Sequence, residues 1–198
     1  MGRAKGGALP GRDQGAAVTD YVPHYRGSEY IWLTDAAIDS LARIGMEQRR
    51  VSIASGHRNE PGYAPDDMTA MRVQALATVC EGCVCAALNW PFDCIQSQVY
   101  NVADLPGDIQ VRLIGREWYG LRVYPGDLEH WRVVGVVIPP GLERQPARLP
   151  GWIHAGDARC HQEWTINPHQ GRAPMIAVPQ RYLRPFAELR ELVRGVWP

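Results

Sequence analysis

The chain has 198 residues, of which 45% are hydrophobic, so it is long enough to bury a sizeable core in a single domain. Its 21 basic and 21 acidic residues cancel, which excludes binding to nucleic acid or an anionic membrane through the overall field alone. No apolar run approaches the ~18 residues that cross a bilayer, and no signal-peptide core opens the chain, so we expect a soluble, cytoplasmic protein without a membrane partner.

The first half of the chain is predicted to hold a tail and two helices. Residues 1–28 are rich in Gly, Ala and charge without apolar periodicity, which predicts a flexible tail before a single domain over residues 29–198. Thr34 is suited to cap a first helix, since apolar positions recur at helical spacing after it: Ile38, Leu41 and Ile44 to Gly45. A loop rich in Gly and Pro follows, and a second helix is predicted from about Asp67 to Leu88.

From Val99 onward the chain is predicted to form strands and one closing helix. Short β-branched and aromatic runs are separated by Gly and Pro: IQVRLIG, YGLRVYP, WRVVGVVIP, PGWIHAG and MIAVPQ. The closing helix begins after Pro185, with apolar residues at Phe186, Leu189, Leu192 and Val193. The predicted fold class is therefore α/β of the α+β type, with a mixed, mainly antiparallel sheet flanked by helices.

Three of the five cysteines, Cys80, Cys83 and Cys85, fall in a six-residue stretch inside the second helix. Its predicted buried stripe consists of Val73, Leu76, Val79, Cys80, Cys83, Val84, Ala87 and Leu88. Free cysteine behaves as a small hydrophobe, so core packing is the favoured interpretation of Cys80 and Cys83. Cys85 lies roughly 140° round the helix from Cys80, so one helix cannot aim all three thiols at one ion. The alternative is a zinc or iron–sulfur site, with further ligands available from Cys94, Cys160, His154, His161 and His169.

Glu81 stands among these cysteines as the only charged residue between Gln74 and Leu88. A buried carboxylate is costly unless it is paired or binds a cation. Glu81 is therefore either a boundary residue that reaches solvent or an arginine, or a functional ligand.

Asp104 precedes a turn and a strand on which Gln110 and Arg112 share one face, because strand side chains alternate with a period of two. This arrangement resembles the core of the PD-(D/E)xK nuclease superfamily. In that family an aspartate at the start of a hairpin and an acid on the next strand hold magnesium, and a lysine two residues later acts on the attacking water. A glutamate from a preceding helix commonly completes the site, and Glu81 matches that role in position and order.

A closer similarity, over about residues 30–185, is to a group of phage-encoded PD-(D/E)xK nuclease-like proteins. The shared elements are Trp32 to Thr34, Glu81, Asp104 with Gln110 to Arg112, Gly151 to Ala158, and Val178 to Gln180. The resemblance implies a restriction-endonuclease-like core and a Mg²⁺- or Mn²⁺-dependent nuclease that acts on DNA, in the host cytoplasm if the gene is phage-borne. It implies metal ligands at Glu81, Asp104 and Gln110, and catalytic roles for these three residues and Arg112.

Two of these positions depart from the family pattern. Gln110 replaces the usual acid and offers a neutral carbonyl oxygen to a hard cation. Arg112 replaces the usual lysine; it stays protonated, so it can orient water or brace a phosphate oxygen but cannot act as a base. Lys5 is the only lysine in the chain, so the arginine also fits a compositional bias. The alternative functions are a catalytically silent nuclease-fold module that binds nucleic acid or a host protein, and a metal-binding cysteine protein.

Asp157 and Arg159 resemble a GDAK element of the same family. They are predicted either to bind substrate in the same cleft or to form an ordinary strand-end turn. His154 and His161 are close enough in sequence for a metal pair, although exposed loop histidines are commoner.

Trp118 and Tyr119 lie at the tip of the hairpin predicted between the first two strands after Val99. There they could stack on a base, although packing back on the sheet is the simpler prediction. The remaining tryptophans considered, Trp131, Trp152 and Trp164, are predicted to be core or partly buried residues.

Overall fold

The structure is a computed structural model that describes residues 27–55, 66–92, 102–140, 145–167 and 173–196. Nearly all of the tail predicted over residues 1–28 lies outside these ranges, as do Cys94 and His169. The helices are α1 (Asp35–Ala54), α2 (Asp67–Leu88), α3 (Ala155–Arg159) and α4 (Phe186–Leu192). The strands are β1 (Glu29–Ile31), β2 (Ile109–Leu113), β3 (Leu121–Val123), β4 (Arg132–Val137), β5 (Ala147–His154), β6 (Thr165–Ile166) and β7 (Met175–Val178).

Side-chain caps fix the starts of the two long helices. The Thr34 hydroxyl oxygen accepts from the Ala37 amide at 3.2 Å, and the Asp66 carboxylate accepts from the Thr69 amide at 2.9 Å. At the other end of α2, Asn89 adopts the left-handed conformation that commonly closes a helix. The predicted N-cap at Thr34 and the predicted span of α2 are confirmed.

α1 and α2 pack closely through small residues. A β-carbon placed at Gly45 of α1 would lie 2.7 Å from the Gln74 carbonyl oxygen and 2.9 Å from the Ala75 α-carbon of α2. Gly82 of α2 faces the fully buried Leu41 of α1 in the same way. The backbones approach so closely that neither position has room for a larger side chain.

The buried stripe of α2 begins later than predicted. Val73 and Leu76 are 49% and 43% exposed, so these two predictions of burial are wrong. The physical reason is that only the C-terminal half of α2, from Val79 onward, packs in the main core against the sheet. The N-terminal half packs on α1, where Gln74 and Ala75 face Gly45.

Within the described residues, seven strands form two sheets. The four-stranded sheet has the order β1-β5-β4-β2, in which β2 and β4 are parallel and the other neighbours are antiparallel. The second sheet, β3-β7-β6, is antiparallel. A mixed, mainly antiparallel arrangement within an α+β fold is confirmed, although it is divided between two sheets.

The predicted hairpin between β2 and β3 is wrong. β2 takes β4 as its parallel neighbour, and β3 pairs with β7 in the other sheet. Leu121 and Val123 of β3 are fully buried in a second core, together with Val133 of β4 and Val178 of β7. β3 therefore covers one face of the four-stranded sheet, and α2 and α4 cover the other.

The main core contains the cysteines of α2. Cys80 and Cys83 are buried at 1% and 0% exposure among apolar side chains, as predicted, and Cys85 is also buried although it lies on another side of the helix. Burial raises the pKa of the Cys83 thiol to about 12 and that of Cys80 well above its usual value. Both thiols are therefore protonated at neutral pH in the metal-free protein.

By length and composition alone, α2 is long and apolar enough to cross a membrane. From the sequence, we expected no apolar run of that length. Within the protein, 61% of its most apolar window is buried, and core helices of soluble proteins meet the same criterion. The feature is therefore weak evidence, and cytoplasmic localisation stays a prediction.

Gly45→Ala should test the close contact between α1 and α2. The added methyl group meets backbone atoms of α2, so we expect the free energy of unfolding to fall by about 1–2 kcal/mol, even though alanine favours helix by up to ~1 kcal/mol. Urea denaturation measures the change. Gly115→Ala is the control, since no atom lies within 4 Å of a β-carbon there. Unchanged or higher stability of Gly45→Ala would contradict the tight packing.

Candidate functional site

Asp104 is held against the open edge of β2. The chain turns back over residues 106–108, and Leu105 and Ile109 exchange backbone hydrogen bonds of 3.0 and 3.3 Å. The carboxylate of Asp104 then accepts from the Val111 amide at 2.8 Å and from the Gln110 side-chain amide at 2.5 Å. Since β2 is an edge strand of its sheet, Asp104 supplies an acceptor to a backbone donor that has no neighbouring strand.

Arg112 joins Asp104 to a second carboxylate. Its guanidinium lies 3.8 Å from the Asp104 carboxylate and donates to the buried Asp127 carboxylate at 2.8 Å. It also lies over the Tyr124 ring, 5.2 Å from the centroid. The side chain is 22% exposed, and its Nε atom is buried without an acceptor among the described residues. Arg112 is therefore oriented by its surroundings and has one donor still unsatisfied.

The turn that carries Asp127 is fixed from both sides. The Asp127 carboxylate accepts from the Tyr124 amide at 2.8 Å within the turn. Arg159, on α3, donates to the main-chain carbonyl oxygens of Tyr124, Pro125 and Asp127. By holding the backbone of this turn, Arg159 helps to keep Asp127 in position to accept from Arg112.

Glu81 approaches the same group from α2. It is 7% exposed, and no hydrogen bond to its carboxylate is found within the described ranges. The pKa of Glu81 is raised from 4.5 to about 8: burial is the largest cause, the Asp104 carboxylate adds to the rise, and the Arg112 guanidinium opposes it. Burial also raises the pKa of Asp104, and Arg112 with the two hydrogen-bond donors partly offsets this. Glu81 is therefore largely protonated at pH 7 in the metal-free protein.

Asp104, Gln110 and Arg112 are joined by a hydrogen bond and an ion pair, and Glu81 lies near enough for the charges of Asp104 and Arg112 to act on its pKa. We call these four residues, together with Asp127, the carboxylate cluster. Glu81 belongs to a helix, whereas the others come from β2 and the turns beside it. With both aspartates ionised, the three acids and one guanidinium carry a formal charge of −1 when Glu81 is protonated and −2 when it is ionised.

Asp157 does not contact the carboxylate cluster in the described structure. It lies on α3, is 51% exposed and pairs with Arg184 at 2.9 Å. Asp157 lines a separate cleft, whereas Arg159 faces the turn that carries Asp127. The two residues predicted to share a substrate-binding role therefore have different partners, because they are two positions apart on a helix and project to different sides.

His154 and His161 do not form a metal pair. His154 packs edge-on against Trp152, with ring centroids 5.0 Å apart. His161 stacks on Trp164 at 3.9 Å and bonds to Glu163 at 2.8 Å. Among the described residues, no group of three or more His, Cys, Asp or Glu side chains has the arrangement of a metal site, and this includes the three acids Glu81, Asp104 and Asp127.

Trp118 does not pack back on the sheet as the simpler prediction held. It is 72% exposed, beside Tyr119 in the segment between β2 and β3. The guanidinium of Arg116 lies 5.7 Å from the Trp118 ring centroid and 5.6 Å from that of Tyr119. The three side chains form an exposed aromatic and cationic group.

Sequence reasoning missed Asp127. It follows Pro125 and Gly126, a composition typical of an exposed turn, yet its side chain is only 4% exposed. The one usable signal was Arg112, because a charged residue on a strand flanked by buried positions needs an acidic partner.

Comparisons of the chain with protein-family models, with curated proteins and with solved structures return no match. The family resemblance described from the sequence is therefore a prediction without support from these comparisons.

Glu81→Gln should remove a pH dependence of stability. The folded protein keeps the Glu81 proton up to about pH 8, whereas the unfolded chain releases it near pH 4.5. The free energy of unfolding of the metal-free protein should therefore decrease between those values, by up to about 5 kcal/mol, and level off above. Denaturation in EDTA at several pH values measures the slope.

Glu81→Gln should lose most of that slope, whereas Glu47→Gln, at an exposed position on α1, should keep it. A slope that is equal in the wild type and in Glu81→Gln would show that Glu81 does not carry the buried proton.

Proposed function

We propose that this protein is a divalent-metal-dependent phosphodiesterase that acts on DNA, with a restriction-endonuclease-like core. The observation that supports the proposal most strongly is that Glu81 and Asp104, two carboxylates from separate elements, lie near enough for the charge of Asp104 to raise the Glu81 pKa, with the Arg112 guanidinium 3.8 Å from Asp104. Such a group of acids is unfavourable by itself, because like charges repel and burial removes water. A divalent cation between them would relieve both penalties.

The donor set fits Mg²⁺ or Mn²⁺. These ions prefer hard oxygen ligands, and Mg²⁺ is commonly held by only one or two carboxylates while it keeps several waters. Glu81 and Asp104 would supply the charged oxygens. Gln110 could add its carbonyl oxygen only by turning its amide, because its nitrogen now donates to Asp104. When bound, the ion would activate water and neutralise charge on the scissile phosphate.

Arg112 would act on the substrate rather than on a proton. A guanidinium remains charged at all relevant pH values, so it binds and orients a phosphate oxygen. Asp127 and Tyr124 would keep the guanidinium in position, and Arg159 would hold their turn in place.

The second candidate is a catalytically silent module that binds DNA or a host protein. The observation in its favour is that the hydrogen bonds of Asp104 to Gln110 and Val111, and of Arg112 to Asp127, already form an internally paired network. A network of this kind is a sufficient structural reason for these residues. The two candidates differ in whether Glu81 and Asp104 bind a cation.

Metal binding should raise thermal stability through both carboxylates. We expect Mn²⁺ at a hundred times its dissociation constant to add about 2.7 kcal/mol to the free energy of unfolding of the EDTA-stripped wild type. Glu81→Gln and Asp104→Asn should each remove this effect in differential scanning fluorimetry. Asp108→Asn changes a nearby, half-exposed carboxylate and should leave the effect intact. Stabilisation that persists in both cluster variants would place the ion elsewhere.

Cleavage assays should separate the two candidate functions. With Mg²⁺ or Mn²⁺, Asp104→Ala should reduce the rate of DNA cleavage by more than about 100-fold. Loss of a residue that only hydrogen-bonds to a metal ligand typically lowers metal affinity or activity by about 10–100-fold, and loss of a ligand should cost more. Arg112→Lys should retain or increase the rate because lysine can lose a proton, and Arg112→Ala should lower it sharply.

A silent module would not cut DNA with any divalent ion, either as the wild type or as a variant. Its affinity for DNA would fall in Arg112→Ala, and the salt dependence of binding would be reduced. Mg²⁺-dependent cleavage that is unchanged in Asp104→Ala would show that the active site lies outside the carboxylate cluster.

A further inference from the structure

A cleft of about 380 Å³ lies beside α3, and it is separate from the carboxylate cluster in its lining residues. Its walls include His161, Trp164 and Tyr182, with Asp157 and Arg184 as its charged pair. The volume is near the lower end of the range of about 300–1,000 Å³ typical of small-ligand sites. Because the cleft is wide open to solvent, it suits contact with one planar group rather than the enclosure of a ligand.

The walls of the cleft are aromatic and open. Trp164 and Tyr182 pack against each other, with ring centroids 5.1 Å apart and planes inclined by 33°. His161 stacks on Trp164 nearly in parallel. Tyr182 is 51% exposed, and the Arg181 guanidinium lies over its ring, so a planar ligand that stacks on Tyr182 would take the place of that guanidinium.

Tyr182 is presented on a rigid turn. Gln180, two residues earlier, donates to the main-chain oxygens of Glu117 and Tyr119, both at 2.7 Å. Its own side-chain oxygen accepts from Arg148 at 2.8 Å, and Arg148 is only 2% exposed. A side chain held by such an anchor loses little conformational freedom when a ligand binds.

The same anchor positions the exposed Trp118. Arg148 also pairs with the Glu117 carboxylate at 2.5 Å, so the segment between β2 and β3 and the turn that carries Tyr182 are tied to one buried cation. Trp118 follows Glu117 directly and is 72% exposed. The protein thus keeps two exposed aromatic side chains on neighbouring, hydrogen-bonded supports.

Arginines accompany both aromatic positions. Arg181 lies 4.9 Å from the Tyr182 centroid, and Arg184 lies 5.2 Å from that of Trp152, next to the cleft. Arg116 lies over Trp118. Aromatic rings interleaved with arginines are the combination that binds single-stranded nucleic acid, because the rings stack on unpaired bases and the cations contact phosphates.

We propose that the cleft binds an unpaired base of single-stranded DNA, with Trp118 as a second stacking surface. This assignment rests on the proposed action on DNA but does not require that the protein is catalytic. The substrate of the carboxylate cluster would then be a single strand or a frayed end. Paired bases cannot offer a face to Tyr182 without leaving the stack.

The test is fluorescence anisotropy with labelled dT₁₅ and with a 15-base-pair duplex, both in EDTA so that nothing is cut. We expect the wild type to bind dT₁₅ at least about tenfold more tightly than the duplex. Tyr182→Ala and Trp118→Ala should each weaken dT₁₅ binding by about five- to a hundred-fold, the usual loss for one stacked base. Tyr182→Phe keeps the ring and should bind like the wild type.

Trp32→Ala is the matched control. Trp32 is 65% exposed, follows β1 and is not a lining residue of the cleft, so its loss should leave dT₁₅ affinity unchanged. Thermal unfolding of every variant checks that it is folded, and the exposure of Tyr182 and Trp118 makes both substitutions tolerable.

The results test the cleft assignment and the proposed catalytic function independently of each other. Equal affinity for single strand and duplex, or wild-type binding by Tyr182→Ala, would overturn the cleft assignment even if the protein cuts DNA. Single-strand preference that depends on Tyr182 in a protein that never cuts would support the cleft and remove catalysis. Binding of a proline-rich peptide but of neither oligonucleotide would assign the aromatic cleft to protein recognition instead.

Discussion

The unpaired edge of β2 is the constraint on which the carboxylate cluster depends. A backbone amide at the edge of a largely buried sheet must find an acceptor, and Val111 finds it in the Asp104 side chain. That bond requires the turn between Leu105 and Ile109, and it brings the carboxylate beside Gln110 and within reach of Arg112. The position of the acid therefore follows from main-chain hydrogen bonding before any ligand is considered.

The charges of the cluster are not balanced by the chain alone. At Glu81 the combined effect of burial and of the Asp104 charge exceeds that of the Arg112 charge, so the carboxyl group keeps its proton and the negative charge of the cluster is lower by one. A proton and a divalent cation are thus competing solutions to the same electrostatic problem. Because either a proton or a cation can offset the charge, the geometry of the cluster fits both a metal-dependent enzyme and a catalytically silent module.

The sequence predicted individual elements better than their partners. Helical periodicity and the Thr34 cap located α1 and α2, and the apolar runs located five strands, because these signals depend on local sequence. β1 and β6 are too short to show a pattern, and strand periodicity specifies a buried face without naming the neighbouring strand, so β3 was assigned to the wrong sheet. Glu81 and Asp104 could be paired from the order of the motifs. Asp127 could not, since its burial results from the approach of Arg112 and Arg159 through space.

The parallel pairing of β2 with β4 places a strand of the second sheet between two neighbours of the first sheet in sequence. The loop that this pairing closes is short, since Ile109 is paired with Arg132, 23 residues later. The pairing of β1 with β5 closes a much longer loop, since Glu29 is paired with Leu149, 120 residues later, and loop closure costs more entropy as the loop lengthens. Most of the carboxylate cluster therefore lies within one local segment of the chain, from Asp104 to Asp127, and only Glu81 depends on the docking of α2 against the sheet.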